Sequence, residues 1–352
     1  MCYYEGSPEW DDVVPIEQDD GEGALAQIAY SEEYAEAMSY LRAVMASNEH
    51  SPRVLDLTSH IISLNPAHYT VWLYRARTIF ALASPIEEEI EWVNEIALEN
   101  QKNYQIWHHR QLLIDRLYPA ISSKPGALQK LEDEERNFMT QMFDEDSKNY
   151  HVWSYRQYLV RKLSLFNDAE LASIEALLRK DVRNNSAWSH RFFIVFSDPE
   201  ISTKSSPATA VDPKIPADII DREIEFAKAA TFEAPQNPSP WNYLRGVLRK
   251  GGRELASQES FASEFVIPGK DKFESPDGEE VRSSHALDFL ADSWAKKGEN
   301  KKAVWAWGLL ANRYDRIRKG YWEWRKASLE GVETEDKGKG FEAKLEGLSV
   351  GS

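Results

Sequence analysis

The sequence predicts an all-α fold, a right-handed superhelix forming a crescent solenoid of antiparallel helical hairpins. Three observations predict it. An aromatic segment recurs five times along the chain. The stretches between copies place apolar residues at helix spacing. No region is rich in alternating β-branched residues.

The recurrent segment reads HYTVWLYR at His68–Arg75, NYQIWHHR at Asn103–Arg110 and NYHVWSYR at Asn149–Arg156. It returns as NNSAWSHR at Asn184–Arg191 and, degraded, as NPSPWNYLR at Asn237–Arg245. Its tryptophans, Trp72, Trp107, Trp153, Trp188 and Trp241, are spaced by 35, 46, 35 and 53 residues. The two long spacings coincide with Pro-, Gly- and Ser-rich loops. A period of 35 with insertions marks stacked helical hairpins.

The elements follow in order. Residues 1–27 read as an acidic, poorly ordered lead-in, because residues 1–23 carry eight acidic side chains and no lysine or arginine. Residues 28–330 form the solenoid, interrupted by loops at 118–126, 197–216 and 251–284. Ser84 with Glu87 forms a capping box, and Pro85 occupies the first helical position. Asn167 or Asp168 caps the next connecting helix, and Pro216 opens another. Each repeat is therefore a connecting amphipathic helix followed by a Trp-bearing one. Two further helices lie within His285–Lys326, and 331–352 is a polar tail.

Within a copy, the Trp and the Arg three positions later share a helix face. The Trp reads as a packing residue between hairpins, and the Arg as a partner for carbonyls or a carboxylate of the adjacent repeat. The residue five before the Trp is basic in the central copies: Lys102, Lys148 and Arg183. Asn103, Asn149 or Asn184 follows, each a good N-cap. Every basic residue thus sits just outside a helix N-terminus, where free N–H groups and the helix dipole favour phosphate. The alternative is three solvated loop cations.

Composition excludes several classes. The net charge of −16 argues against a general nucleic-acid or anionic-membrane binder. The longest aliphatic and aromatic run, Phe192–Phe196, is far short of a membrane span. With no basic n-region before an apolar run and a single cysteine, Cys2, the expected setting is reducing and cytoplasmic. No HExxH, GxGxxG, GxSxG or P-loop pattern occurs. His108 and His109 diverge by about 100° on a helix and cannot share a ligand face. No metal site and no self-contained active site are expected in this chain.

The copies LNPAHYTVW, KNYQIWHHR, KNYHVWSYR, DVRNNSAWSHR and WNYLRG resemble the repeats of protein prenyltransferase α subunits, over about Tyr30–Lys250. Their wording is most similar to the branch serving farnesyltransferase and geranylgeranyltransferase type I. The resemblance implies a crescent wrapped around a β subunit that carries the catalytic Zn2+, with Mg2+ accompanying the diphosphate. The implied reaction transfers a farnesyl or geranylgeranyl group from its diphosphate to the cysteine of a C-terminal CaaX motif. The family lysine at the diphosphate falls on Lys148, and the tyrosine beside it on Tyr150. Tyr104 matches a tyrosine lining the pocket for the substrate's last residue. His151 falls near the substrate carboxylate, where the family pattern leads one to expect an amide donor. Arg156, Asn184 and Trp188 match recurrent positions that shape the site. Two other readings are the α subunit of Rab geranylgeranyltransferase and a tetratricopeptide-like scaffold without chemistry.

Overall fold

A computed structural model describes residues 4–21, 23, 25, 26, 28–266 and 281–335. They fall into two compact units, Met1–Leu165 and Phe166–Ser352. Among the described residues the only β pairing is the isolated bridge between Val266 and Val281.

The first unit holds α1 (Glu32–Ala46), α2 (Pro52–Leu64), α3 (Tyr69–Leu82), α4 (Ile86–Glu99), α5 (Tyr104–Ile121), α6 (Pro125–Glu145) and α7 (Tyr150–Leu163). Pairs α2–α3, α4–α5 and α6–α7 are antiparallel repeat hairpins, and the Trp-bearing helices α3, α5 and α7 pack in succession. The second unit holds α8 (Asp168–Lys180), α9 (Asn185–Phe196), α10 (Ala217–Glu233), α11 (Pro238–Lys250) and α12 (Glu259–Ser263). It continues with α13 (Ser284–Lys296), α14 (Asn300–Leu309) and α15 (Lys319–Glu335). Here α8–α9 and α10–α11 are the repeat hairpins.

One carbonyl per repeat ties the Trp-bearing helix down. The indole N–H of Trp72, Trp107, Trp153, Trp188 and Trp241 donates to the carbonyl six residues earlier, at 2.8–3.4 Å. The next repeat uses the same oxygen. Asn103 Nδ2 donates to Pro66 O (2.6 Å), Asn149 Nδ2 to Gln101 O (3.0 Å) and Asn237 Nδ2 to Val182 O (2.8 Å). Both lone pairs of a buried carbonyl are thereby satisfied, one from within the repeat and one from the next.

A second link is ionic. Arg75 grips Glu89 of the following hairpin through two bonds of 2.7 Å. Arg110 reaches Glu135, and Arg191 reaches Glu223. Each glutamate also accepts from its own repeat's Trp+2 residue: Glu89 from His109, Glu135 from Tyr155 and Glu223 from Tyr243. Burial alone would raise the Glu89 pKa, but bonds from His109 and Arg75 hold it below the usual value.

Several expectations are corrected. No capping box forms at Ser84: α4 starts at Ile86 with Pro85 as its cap residue and no side-chain cap bond. Helix α5 continues through Pro119 to Ile121 and α6 begins at Pro125, so the loop expected at 118–126 is three residues long. After His285 there are three α-helices rather than two, and α15 carries helix past Gly331 to Glu335. In the lead-in, Tyr4 and Trp10 are buried, their rings packed edge-on to each other at 5.3 Å and against Tyr40 of α1. Arg53 of α2 pairs with Asp12 at 2.6 Å. Two buried aromatics and an ion pair at the surface give this acidic segment enough contact to pack. Cys2 and the tail beyond Glu335 lie outside the described residues.

Candidate functional site

The N-termini of α5 and α7 build a rim in the first unit. Asn103 caps α5 by accepting from Gln105 N–H, and Asn149 caps α7 by accepting from His151 N–H at 2.9 Å. Because each asparagine also donates to the preceding repeat, the two N-termini are anchored to the scaffold. The loop before α7 is shaped by Asp146. Its Oδ1 accepts the Lys148 N–H at 3.0 Å, while its Oδ2 lies 3.7 Å from Lys102 Nζ. One carboxylate therefore organises both rim cations, and Lys148 itself is exposed.

Aromatic side chains stand beside these cations. Tyr104 and Tyr150 are the first residues of their helices and are 67% and 68% exposed. His151, half-buried, sets its ring perpendicular to Tyr104 with centroids 4.3 Å apart, and lies 5.7 Å from Tyr150. Burial pushes the His151 pKa below the ordinary imidazole value, so the ring is neutral at pH 7. A neutral imidazole still offers one N–H. A shallow cavity of about 710 Å³ adjoins the rim, lined by Lys102, Asn103, Tyr104 and Gln105 among others. The arrangement joins ammonium groups, helix N-termini and exposed rings, which suits a ligand with an anionic head and an apolar body.

The remaining sequence-derived residues lie elsewhere. Arg156 is 3% exposed, with its guanidinium over the Phe143 and Trp153 rings at 5.7 and 5.6 Å. It sits in the packed interior of the first unit and presents no surface there. Asn184 and Trp188 belong to the second unit and are 1% and 2% exposed. Asn184 caps α9 at Ser186 and Ala187. All three side chains are enclosed within their units. Arg183 occupies the equivalent loop of the second unit, its N–H bonded to Asp181 Oδ1 at 2.9 Å. Sequence reasoning missed Asp146, although a signal was present: an aspartate stands two residues before both Lys148 and Arg183. Among the described residues no group of three or more His, Cys, Asp or Glu is placed to hold a metal ion. No described helix is long and apolar enough to cross a membrane.

Comparison with known proteins gives concordant results. A family profile described as "Protein prenyltransferase alpha subunit repeat" matches residues 51–82, 86–117, 132–163, 167–198 and 220–251. These segments correspond to the five Trp-bearing hairpins. The chain is 35% identical to the protein farnesyltransferase/geranylgeranyltransferase type-1 subunit alpha of Candida albicans, over 92% of this chain and 98% of that protein. It is 35% identical to the Arabidopsis thaliana protein of the same name, over 91% and 94%. A solved structure described as Candida albicans protein geranylgeranyltransferase-I complexed with GGPP superposes with a TM-score of 0.78 at 34% identity. That match covers 92% of this chain and 99% of the other.

Proposed function

The chain belongs to the protein prenyltransferase α-subunit family, and we propose that it works in a heterodimer transferring a farnesyl or geranylgeranyl group from its diphosphate to the cysteine of a C-terminal CaaX motif. The observation that carries this reading is the near-full-length likeness to the Candida α subunit, at 35% identity over 92% of this chain. The rim at Lys148 supplies its chemistry.

Transfer breaks the C1–O bond of the allylic diphosphate and forms a carbon–sulfur bond to the substrate thiolate. Positive charge develops on C1 and negative charge on the departing diphosphate. Lys148, at the positive end of α7, stabilises that leaving group, an effect that is larger in the transition state than in the ground state. Tyr150 lies against the isoprenoid and diphosphate, and Tyr104 lines the pocket for the substrate's last residue. His151 donates its neutral N–H toward the substrate carboxylate. Arg156 of α7 packs against Phe143 and Trp153, and Asn184 caps α9. The residues of this chain offer no zinc site among those described. In this reading a Zn2+ held by the β subunit would supply activation of the substrate thiol. Mg2+ accompanies the diphosphate.

The decisive experiment co-purifies the chain with a β subunit and assays a short CaaX peptide without an escort protein. Transfer by the heterodimer and none by either chain alone is the expected result. Absence of transfer without an escort protein would redirect the assignment to the Rab-specific enzyme. A stable monomer that binds extended peptides and no β subunit would indicate a scaffold.

A further inference from the structure

The second unit holds a cavity of about 480 Å³ that lies wholly within it. The cavity sits among the last turns of α11, the turn that follows, the end of α13 and Arg325 of α15. Helix α11 is 13 residues long, so its C-terminal end stands about 20 Å from its Asn237 cap. Five cations line the cavity: Arg245, Arg249, Arg253, Lys296 and Arg325. Two carboxylates, Glu254 and Asp292, face them, which leaves a local surplus of three positive charges. The chain around this spot has a net charge of −16.

Little of that positive charge is spent inside the protein. Arg245 donates to Asp292 Oδ2 and, at 3.1 Å, to Asp288 Oδ2. Arg325 donates to the other oxygen of Asp292 and to the Tyr321 hydroxyl. One carboxylate thus holds two guanidiniums, and each keeps an Nε–H with no acceptor among the described residues. The Phe289 ring lies 5.0 Å from the Arg245 guanidinium and the Trp307 ring 4.4 Å from that of Arg325, so both are restrained before any ligand arrives. Arg253 pairs with Asp221 at 3.2 Å, an exposed pair of little strength. Arg249 and Lys296 are exposed, and their side chains take no acceptor among the described residues. Neither is needed as a helix cap. The carbonyls of residues 247–250, which end α11, each accept a backbone N–H, as do those of residues 293–295 in α13.

The arrangement selects among anions. Guanidinium forks match phosphate oxygens in pairs. Cations converging from four segments on one cavity suit a compact ligand, and the volume is that of a small-molecule site. A nucleic acid or a long acidic peptide needs an extended basic stripe, and the overall charge of the chain opposes its approach. A lone carboxylate would leave most of the surplus uncompensated.

We propose that this cavity binds a compact anion of two or more linked phosphates, with Arg249 and Lys296 as the cations free to close on it and Arg245 and Arg325 as prepositioned donors. The cavity serves no step of the transfer proposed above.

The test titrates tripolyphosphate into the full-length chain by calorimetry. Saturable binding of one anion per chain is expected, weakened at least about tenfold by Arg249→Ala combined with Lys296→Ala. Lys148→Ala should leave it unchanged, which separates the cavity from the rim. Both cavity substitutions fall on exposed, unpaired side chains, so the melting temperature without ligand should match the parent's. Hydrogen exchange on the parent should show residues 249–255 protected by tripolyphosphate, a readout independent of any variant. ATP distinguishes the source: binding that the double variant weakens supports a phosphate chain carried on an organic group, and binding of tripolyphosphate alone supports a free one. No binding up to about 1 mM overturns the proposal. So does equal affinity in the parent and the double variant, or a loss confined to Lys148→Ala. A tetraglutamate peptide bound as tightly as tripolyphosphate also overturns it, because the cavity would then recognise acidity rather than phosphate.

Discussion

The side-chain amide of Asn149 donates across a repeat boundary to the carbonyl oxygen of Gln101, 3.0 Å away. The same side chain caps α7 through its oxygen, accepting from His151 N–H. One residue thus joins two hairpins and fixes the helix end on which Lys148, Tyr150 and His151 sit.

Substitution separates the two roles. Asn149→Asp keeps the cap, since aspartate accepts as well as asparagine. It loses the donor and turns a carboxylate toward the Gln101 carbonyl. We expect it to destabilise the chain by about 1–3 kcal/mol, the range for leaving a buried polar group unsatisfied. Asn149→Ala loses the cap too and should cost about 1 kcal/mol more. Urea denaturation of the purified chain checks this. An Asn149→Asp variant as stable as the parent would show that the cross-repeat bond contributes nothing.

For Lys148 the expected effect is kinetic. Lys148→Ala should lower the single-turnover transfer rate of the heterodimer on the order of 10²-fold, the scale for removing one preorganised charge stabiliser. Lys148→Arg should retain part of the rate. Diphosphate affinity should change less than the rate, because the interaction strengthens as charge develops. An unchanged rate in Lys148→Ala would remove Lys148 from the chemistry.

Much of this organisation is legible in the sequence, for identifiable reasons. The Trp period, the asparagine caps and the Trp/Arg helix face follow from local spacing, and local spacing is what a helix preserves. The acceptors of the arginines are not legible. Glu89 lies 14 residues beyond Arg75, Glu135 lies 25 beyond Arg110 and Glu223 lies 32 beyond Arg191. Loop length varies while the three-dimensional step does not, and 58 acidic residues hide the right ones. The packing of Tyr4 and Trp10 was obscured by the acidity around them. At the site, Lys148 and the exposed tyrosines follow from the repeat wording. The role of Asp146 needed coordinates, because it depends on a turn between two cations.

The buried pair Arg110–Glu135 gives a contrast between single and double substitution. Both side chains are 2% exposed or less, and the pair lies at 2.6 Å. Tyr155 donates to the same glutamate at 2.9 Å. Glu135→Leu alone leaves a buried guanidinium without its carboxylate and should cost about 3–5 kcal/mol. The double variant Arg110→Met/Glu135→Leu should recover a large part of that loss, since no charge is left buried. Denaturation of the parent, Glu135→Leu, Arg110→Met and the double variant measures it. A double variant as damaged as the sum of the singles would mean the pair is held by packing rather than by charge.

The last prediction concerns pH. His109 is 1% exposed, and its Nε2 lies 2.7 Å from Glu89 Oε1. Burial pushes its pKa below the usual 6.5, only partly offset by the hydrogen bond to Glu89. The folded ring therefore stays neutral and donates, while an unfolded histidine takes up a proton at about pH 6.5. Below that point the unfolded state binds more protons than the folded one, so stability falls as pH drops toward the folded pKa. Above pH 6.5 the contribution is fully present. One such group sets a slope of at most about 1.4 kcal/mol per pH unit. Burial also lowers the pKa of His68, His151 and His285, so part of the slope comes from them. His109→Gln keeps a donor for Glu89 but cannot titrate. Its urea midpoint should depend less on pH between 5.5 and 6.5 than the parent's, and differ little in pH dependence above 7. Equal slopes in the two proteins would show that His109 keeps its ordinary pKa in the fold.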